Sequence, residues 1–412
     1  MSAPALKAAR WEQAGSFLPY GRQIIEEDDI AAVTEALRGD LLTTGPYVAR
    51  FEAALAKTVA AGHAVVCANG TAALHMAARV LNLGFGTKVV VPAITFLATA
   101  SAPHMNGADV VFADVDPETG LMTPETLEDA IRRGGKIDAV FNVHLNGQCG
   151  DLEGITEIAR AHGARIVDDA CHALGTAYVG NDGAISPIGS NGFSDLSVFS
   201  FHPVKAIAMG EGGAVTTNDP QMAKRLVLAR NHGMTRNASD FTNTADAFDA
   251  AGEPNPWYYE LAEPEFNWRA NDIQCALGVS QIGKLGRFVA RRRAIAATYD
   301  TLFSSTAPVI RPMARTRPCL PAWHLYAARI DFERAGMTRA QAMRALAAEG
   351  IGTQVHYYPV HRQPYYAKRF PTPALPGADR YYARALSLPL FAAMTPDDAV
   401  RVAGALAGLL IR

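Results

Sequence analysis

The sequence is poor in charged residues and in cysteine, and it lacks the long apolar runs of a membrane protein. Charged residues make up 19% of its 412 residues, and the net charge of −2 gives no sign of a basic surface for nucleic acid. The apolar runs are strand-sized, well short of the ~20 residues that cross a bilayer, and the first residues lack the apolar core of a signal peptide. Five cysteines without a CxxC pair favour a reducing compartment, so we expect a cytoplasmic protein without membrane or nucleic-acid partners.

Two common nucleotide-binding motifs are also absent. The sequence has neither the GK[ST] of an ATP-binding phosphate loop nor a GxGxxG fingerprint, so ATP and nicotinamide cofactors have no support. Hydrophobic residues reach 49%, which predicts a sizeable buried core. The length suits either two domains or one large domain with a smaller partner.

Short strands and amphipathic helices alternate between Val65 and Val167. This repeat predicts an α/β fold, with a mostly parallel sheet covered by helices on both faces. Past about Ser304 the composition changes to that of a small α+β domain, with strands expected over residues 324–330 and 353–357. We therefore predict a lead of residues 1–25, a large domain of residues 26–290 and a small C-terminal domain of residues 291–412.

Three segments outside the repeat are interpreted from their composition. Residues 180–192 are rich in Gly, Ser and Asn, and we expect a mobile surface loop there. Residues 235–264 are polar and too long for an ordinary connection, so they are either functional or flexible. The cluster of Arg291, Arg292 and Arg293 continues an amphipathic helix and is expected to form a solvated face.

A single lysine, Lys205, lies between the strand Ser197–Ser200 and a glycine-rich turn that begins at Gly210. Its neighbours are almost all apolar, and burial shifts a lysine towards its neutral, nucleophilic form. A lysine of this kind forms a Schiff base. From this stretch alone, an ordinary lysine on a surface loop is an equal alternative.

Residues that could bind a cofactor also follow two other predicted strands. At Asn69-Gly70-Thr71 a strand meets a helix, and the free amides of a helix start can bind a phosphate, although a plain N-cap would look the same. Asp168 and Asp169 end another strand and point to opposite sides of it. One of them could pair with the ring nitrogen of a pyridine cofactor; alternatively, it caps the next turn.

A metal site is a further interpretation of the acidic strand end. His144 and His172 could join the two aspartates as ligands, but the spacing resembles no known ligand pattern. We therefore expect no metal. A phosphate cradle, an acidic strand end and a later lysine together are the parts that a pyridoxal 5′-phosphate (PLP) enzyme needs.

The longer motifs resemble those of the sugar-nucleotide aminotransferases, PLP enzymes that aminate keto-sugars. The resemblance covers about residues 19–391 and is carried by SFHPVK, GEGGAV, NGTAALH, DDACHALG and NWRANDIQCA. It implies the fold type I (aspartate-aminotransferase-like) architecture. The segments PYGRQ, LLTTGP and VHYYPVHRQPYY are similar to the branch that acts on UDP-4-keto-6-deoxy-N-acetylhexosamines in pseudaminic acid biosynthesis.

The resemblance implies a role for each matching residue. Lys205 would hold the cofactor and carry the proton, Asp169 would pair with the ring nitrogen, and Phe96 would stack on the ring, although on its own it could be a core residue. The cofactor phosphate would be held by Thr71, Ala72 and Ser200, and His172 would lie near the phenolic oxygen. Asn267 would reach the phosphate from a neighbouring subunit, which implies a homodimer. Sugar-nucleotide contacts are expected from Thr44, Gly45, His356 and Tyr358.

The implied reaction moves an amino group from L-glutamate to the C4 ketone of the nucleotide-linked sugar. Relatives with histidine in place of the lysine are dehydratases, and the intact Lys205 favours transamination. A dTDP- or GDP-linked sugar, or amination at C3, remains an alternative within the family. A non-catalytic sugar-nucleotide-binding protein on the same fold is a more remote one.

Overall fold

The computed structural model describes residues 17–411 of the chain. Its helices are α1 (Glu27–Arg38), α2 (Pro46–Val59), α3 (Gly70–Val80), α4 (Leu97–Met105), α5 (Pro124–Gly134), α6 (Leu152–Ala161), α7 (Pro220–Arg230), α8 (Thr244–Ala247), α9 (Asp272–Ile282), α10 (Leu285–Phe303), α11 (Arg339–Ala348), α12 (Pro364–Arg369), α13 (Pro376–Arg384) and α14 (Pro396–Leu410). Its strands are β1 (His63–Cys67), β2 (Lys88–Pro92), β3 (Asp109–Ala113), β4 (Ala139–Val143), β5 (Arg165–Asp169), β6 (Ala177–Val179), β7 (Ile185–Pro187), β8 (Leu196–Ser200), β9 (Gly213–Thr217), β10 (Met234–Thr235), β11 (Glu260–Leu261), β12 (Ile310–Arg311), β13 (Cys319–Leu320), β14 (Tyr326–Ile330) and β15 (Ala385–Leu388). Within residues 17–411, no helix is long and apolar enough to span a bilayer.

Seven strands form the central sheet, in the order β1-β9-β8-β5-β4-β2-β3. Strands β8, β5, β4, β2 and β3 pair in parallel, whereas β9 runs antiparallel to both β1 and β8. This mixed, mostly parallel sheet confirms the predicted α/β fold. Because parallel strands end at the same edge, the residues that follow β4, β5 and β8 meet there.

Both faces of the sheet are buried, which explains its unbroken β-branched runs. Along β2, Val89 and Val91 belong to a hydrophobic cluster with α3 and α4, whereas Val90 belongs to one with α5 and α6. Under the β1–β9–β8 end, Phe199 belongs to the same hydrophobic cluster as Phe51 of α2, whose ring meets that of Phe201 edge to face at 5.1 Å. The helices therefore hold the carboxyl edge of the sheet from both sides.

A second, three-stranded sheet, β12-β14-β15, packs with α10, α11 and α14 in a smaller hydrophobic cluster. Helix α10 joins this cluster to the rest of the protein. Its first half packs Leu285 and Phe288 beneath the central sheet, and its second half packs Tyr299 and Phe303 against the smaller sheet. The helix thus crosses the predicted boundary at residue 291, and the three-part division of the chain stays a prediction.

Some local predictions are wrong. Residues 353–357 form no strand; Gln354 makes only an isolated bridge to Ser387. Residues 180–192 are not simply a loop, since they contain β7, which pairs with β6. In the polar segment 235–264, for which the expectation of a functional or flexible role stays a prediction, α8 lies between β10 at the start and its partner β11 near the end.

Residues 17–25 of the expected lead lie against the body of the protein; those before 17 lie outside the described residues. Leu18 pairs in parallel with Ile351, and its amide donates to the carbonyl oxygen of Gly350 at 2.7 Å. Two residues later, the carbonyl oxygen of Tyr20 accepts from the amide of Leu390 at 3.0 Å. The start of the described chain is therefore bound to its last quarter.

Candidate active site

A cavity of about 710 Å³ lies at the carboxyl edge of the central sheet. Asp169 at the end of β5, Lys205 after β8 and Thr71 at the start of α3 all line it. The structure therefore brings together the three strand ends that the sequence singles out. The segment that contains His356 and Tyr358 lines the same cavity.

Lys205 lies inside this cavity and not on an outer surface loop. Its backbone amide donates to the carbonyl oxygen of His202 at 2.8 Å, closing a tight turn after the strand. Burial lowers the pKa of Lys205, Cys171 and Asp169 oppose that shift, and the charge of Arg292 adds to it. A lowered pKa increases the neutral fraction of the amine, which is the nucleophilic form.

Asp169 is buried, and its orientation is fixed by a pair of threonines. Its Oδ2 accepts from the hydroxyl of Thr99 at 2.6 Å, and the oxygens of Thr99 and Thr95 lie 2.8 Å apart. Since Thr99 gives its proton to the carboxylate, Thr95 donates to Thr99. The other oxygen of Asp169 accepts from the amide of Cys171 at 3.2 Å.

The start of α3 forms the expected anion cradle, but with one difference. The side-chain oxygen of Asn69 accepts a hydrogen bond from the backbone amide of Ala72 at 2.9 Å. The backbone carbonyl oxygen of Asn69 accepts one from the backbone amide of Ala73 at 3.1 Å. The first two amides of the helix, those of Gly70 and Thr71, have no intrahelical acceptor. A phosphate could therefore accept hydrogen bonds from these two amides. To accept one from the amide of Ala72 as well, it would have to displace the side chain of Asn69.

Two glycines allow the cradle to form against the sheet. A Cβ on Gly213 would lie 2.2 Å from the carbonyl oxygen of Asn69, and one on Gly70 would lie 3.0 Å from the Cβ of Ser200. Only residues without a side chain permit this approach. It brings Ser200, which also lines the cavity, beside the start of the helix.

Three histidines and a tyrosine form another part of the cavity. Nε2 of His172 lies 3.1 Å from the hydroxyl of Tyr357, and the rings of His172 and His324 have centroids 4.3 Å apart. Nδ1 of His356 lies 2.8 Å from the hydroxyl of Ser387. Burial, together with the charge of Lys205, lowers the pKa of His356 to about 3 and holds those of His172 and His324 well below the ordinary value. These imidazoles are neutral at pH 7.

Phe96 and Tyr358 line the cavity and are partly exposed, at 54% and 43%. The ring centroid of Phe96 lies 6.0 Å from that of Tyr357, and the ring of Tyr358 meets Tyr382 edge to face at 5.4 Å. Phe96 is thus not an ordinary core residue. Both aromatic faces are available to a bound molecule.

Thr44, Gly45 and Asn267 do not line the cavity of their own chain, as far as residues 17–411 show. The amide of Gly45 donates to Asp272 at 2.7 Å, which fixes the start of α2 on α9. Asn267 is followed by Trp268, whose carbonyl oxygen accepts from the amide of Ala68 at 2.7 Å. The Asn267 loop is therefore attached beside the cradle.

Asp168 faces away from the cavity and belongs to a separate buried pair. Its Oδ1 lies 3.3 Å from Nε2 of His144, and although burial disfavours the charged imidazole, Asp168 raises the pKa of His144. His172 and Asp169 lie on the cavity side. Among the described residues, no three of these four side chains come close enough to hold one ion, so the metal interpretation is not supported.

Sequence reasoning missed several residues at this site. Thr95 and Thr99 are four apart around the start of a helix, a spacing that places them side by side. Arg292 is buried, at 2% exposure, so the prediction of a solvated arginine face is wrong at its central residue. The signal was present, because Phe288, Arg292 and Tyr299 share one apolar face of α10.

The cavity fits PLP. An amine of lowered pKa, a buried carboxylate with a fixed orientation and two amides at a helix start lie in one space. Nδ1 of His172 is buried without a partner among the described residues, which leaves a polar atom for a bound group. Lys205 would bind the aldehyde end of PLP, and Asp169 would face its ring nitrogen. The start of α3 would hold its phosphate.

Comparison with known proteins agrees with this geometry. The family model described as the DegT/DnrJ/EryC1/StrS aminotransferase family matches residues 23–407. The spore coat polysaccharide biosynthesis protein SpsC of Bacillus subtilis is 37% identical over 390 residues, covering 94% of this chain and 95% of SpsC.

Two solved structures are also similar. PseC of Helicobacter pylori, an aminotransferase involved in pseudaminic acid biosynthesis, has a TM-score of 0.85 and 28% identity, covering 96% of this chain and 99% of its own. The PLP form of the sugar aminotransferase Spr1654 from Streptococcus pneumoniae has a TM-score of 0.82 and 27% identity, covering 95% and 98%. The chain belongs to the DegT/DnrJ/EryC1/StrS aminotransferase family and is a PLP-dependent sugar aminotransferase.

Proposed function

We propose that this enzyme transfers an amino group from L-glutamate to the C4 ketone of a UDP-linked 4-keto-6-deoxy-N-acetylhexosamine, as in pseudaminic acid biosynthesis. The observation that carries the proposal is that Lys205 and Asp169 line one cavity, whose other described side chains include no further lysine or arginine. Neutral histidines and exposed aromatic faces suit an uncharged sugar ring. The likeness to PseC supports the choice of sugar.

The chain's own residues would orient the reactants and move one proton. Bound PLP supplies the electron sink that lets an amino group leave one carbon and join another. Nζ of Lys205, whose pKa is lowered by burial, would take a proton from the reacting carbon and return it. Asp169, fixed by Thr99, would face the ring nitrogen. Since both amino donor and sugar use this cavity in turn, ping-pong kinetics are expected.

The sugar-nucleotide would enter past the aromatic side of the cavity. His356 and Tyr358 line it there, and the neutral imidazole of His356 can donate or accept a hydrogen bond through its free nitrogen. Phe96, partly exposed in the same cavity, would stack on the cofactor ring.

We further propose a C2 homodimer with shared active sites. Thr44, Gly45 and Asn267 lie outside their own cavity, so they fit the role of residues supplied to a neighbouring subunit. An isologous interface would give each partner the same contribution. The five cysteines are free thiols in the structure, which is consistent with an enzyme located in the reducing cytoplasm.

The visible spectrum of the purified protein tests the function. We expect a yellow protein that bleaches on addition of L-glutamate and regains its colour when the UDP-linked keto-sugar is added. Bleaching without recovery would keep the aminotransferase and reject the sugar. A panel of dTDP-, GDP- and 3-keto sugars would then identify the acceptor. A protein that takes up no PLP would overturn the proposal and leave a sugar-nucleotide-binding role.

A further inference from the structure

Arg292 is a buried arginine at the point where α10 passes from one hydrophobic cluster to the other. Phe288 on one side of it packs beneath the central sheet, and Ile295 on the other packs against the smaller sheet. Its guanidinium has no carboxylate partner among residues 17–411; burial lowers its pKa to about 10. At pH 7 it is still a buried positive charge.

Carbonyl oxygens from separate segments surround this guanidinium. Nη2 donates to the carbonyl oxygens of Lys205 at 3.1 Å and Val204 at 3.4 Å. Nη1 donates to those of Leu390 at 3.0 Å and His324 at 3.2 Å. Lys205 and His324 both line the cavity. One side chain therefore fixes the backbone of two parts of the active site.

The arrangement requires an arginine in particular. A planar guanidinium presents donors in fixed directions, whereas a lysine offers one compact ammonium group. A buried charge that meets only dipoles is costly to folding, and Nε of Arg292 is buried without a partner in the part of the chain that the structure describes. A well-packed apolar residue would stabilise the same position at lower cost.

The charge of Arg292 also acts on the groups that face the cavity. It contributes to the lowered pKa of Lys205, where burial is the larger cause and Cys171 and Asp169 oppose it. It also contributes to the lowered pKa of His324, where burial and the charges of His172 and Lys205 are the larger causes. The same side chain thus fixes the lysine backbone and influences its amine.

We propose that Arg292 is a positioning residue for Lys205, which it holds in register with the His324 side of the cavity through their backbone carbonyls. This inference rests on the proposed function, because only an enzyme that binds its cofactor through Lys205 needs the lysine to be fixed in this way. Arg292 itself does not line the cavity. It acts through Lys205.

The first test measures the reactivity of Lys205 in the full-length chain freed of cofactor. Acetic anhydride labelling at a series of pH values, with the Lys205 peptide quantified by mass spectrometry, gives the pH of half-labelling. We expect Arg292→Met to raise that pH by about one unit. Arg293→Met is the matched control, because Arg293 is exposed and donates to the carbonyl oxygen of Pro321 at 2.7 Å. A folded Arg292→Met protein with both the wild-type labelling curve and the wild-type rate of PLP capture at Lys205 would overturn the proposal.

The variant Arg292→Lys separates the positioning of Lys205 from the effect of the positive charge, and it tests the proposal even if Arg292→Met does not fold. It keeps the positive charge but cannot hold both segments in one fork, so we expect a labelling curve like the wild type with PLP captured at Lys205 about tenfold more slowly. Capture at the wild-type rate would contradict the positioning role. If the wild-type chain captures no PLP, the proposed function fails, while the labelling comparison still tests Arg292.

Discussion

The hydroxyl of Thr99 lies 2.6 Å from Oδ2 of Asp169, and the hydroxyl of Thr95 lies 2.8 Å from that of Thr99. Two hydroxyls thus connect the start of α4 to the end of β5. The carboxylate that would meet the cofactor ring is oriented by a neighbouring helix and not by its own strand alone.

Replacing Thr99 by valine should weaken cofactor binding. Valine keeps the shape but removes the donor to a buried carboxylate, and a hydrogen bond to a charged group contributes about 1.5–3 kcal/mol, so we expect PLP affinity to fall at least about tenfold. An absorbance titration measures it. Thr99→Ser should retain binding, and Thr58→Val, on the exposed side of α2, serves as the control. Unchanged affinity in Thr99→Val would mean that Asp169 is held in place without it.

The cavity histidines predict a loss of stability in mild acid. Burial lowers the pKa of His356 to about 3, whereas a histidine in an unfolded chain titrates near about 6.5. Between these values the unfolded state binds more protons than the folded state. The free energy of unfolding should therefore fall as the pH falls, by about 1.4 kcal/mol per pH unit for each such histidine.

Urea unfolding at several pH values between 7 and 5 measures this slope. His356→Gln should reduce it by the share of one histidine, because glutamine does not titrate. His63→Gln is the control, since His63 is exposed and its replacement should leave the slope unchanged. A slope in His356→Gln equal to that of the wild type would show that His356 takes up its proton in the folded protein.

The shared active site predicts complementation between two inactive or weakened variants. Lys205→Ala should abolish turnover with the fold retained, and Asn267→Ala should weaken cofactor retention and the dimer. In a mixed dimer, one site combines Lys205 of one chain with Asn267 of the other and is intact. Random exchange of subunits should then restore about a quarter of wild-type sites.

Activity after mixing the two variants at equal concentration is the readout. Lys205→Ala mixed with wild type controls for simple dilution. If the mixture is no more active than its separate components, Asn267 acts within its own subunit and the cross-subunit assignment is wrong.

Two glycine substitutions should change stability in opposite directions. A Cβ on Gly213 would lie 2.2 Å from the carbonyl oxygen of Asn69, so Gly213→Ala should displace the start of α3, destabilise the protein by about 3 kcal/mol and weaken PLP binding. Gly404 lies exposed within α14 with nothing near its Cβ position. Gly404→Ala should stabilise by about 0.5–1 kcal/mol, because alanine is the better helix former. Thermal melts with and without PLP measure both, and an unaffected Gly213→Ala protein would contradict the close packing of the cradle.

The alternating part of the fold could be predicted because its signals are local. Strand β4 (Ala139–Val143) and helix α6 (Leu152–Ala161) lie within the predicted alternation of strands and helices between Val65 and Val167, since the hydrophobic period that marks each element lies within its own segment. Residues 353–357 could not be predicted in this way. Only Gln354 among them pairs with another segment, in an isolated bridge to Ser387, far along the chain.

The site could be predicted in part. Lys205, Asp169 and Thr71 come together in one cavity because strand ends of a parallel sheet share an edge, which sequence order and topology predict. Arg292 was misinterpreted because adjacent arginines suggest a solvated face, although the helical period places it among apolar residues. The occupied amide of Ala72 depends on which rotamer Asn69 adopts, and no sequence pattern specifies that.

The contacts of Leu18 and Tyr20 have a consequence for biosynthesis. Leu18 pairs with Ile351, the carbonyl oxygen of Tyr20 accepts from the amide of Leu390, and Tyr20 lines the cavity. Domains fold as units while the chain leaves the ribosome, but these contacts join residues that are translated more than 300 positions apart. The seven strands of the central sheet end at Thr217 and can pair early, whereas the cofactor pocket is complete only after the residues up to Leu390 have been made.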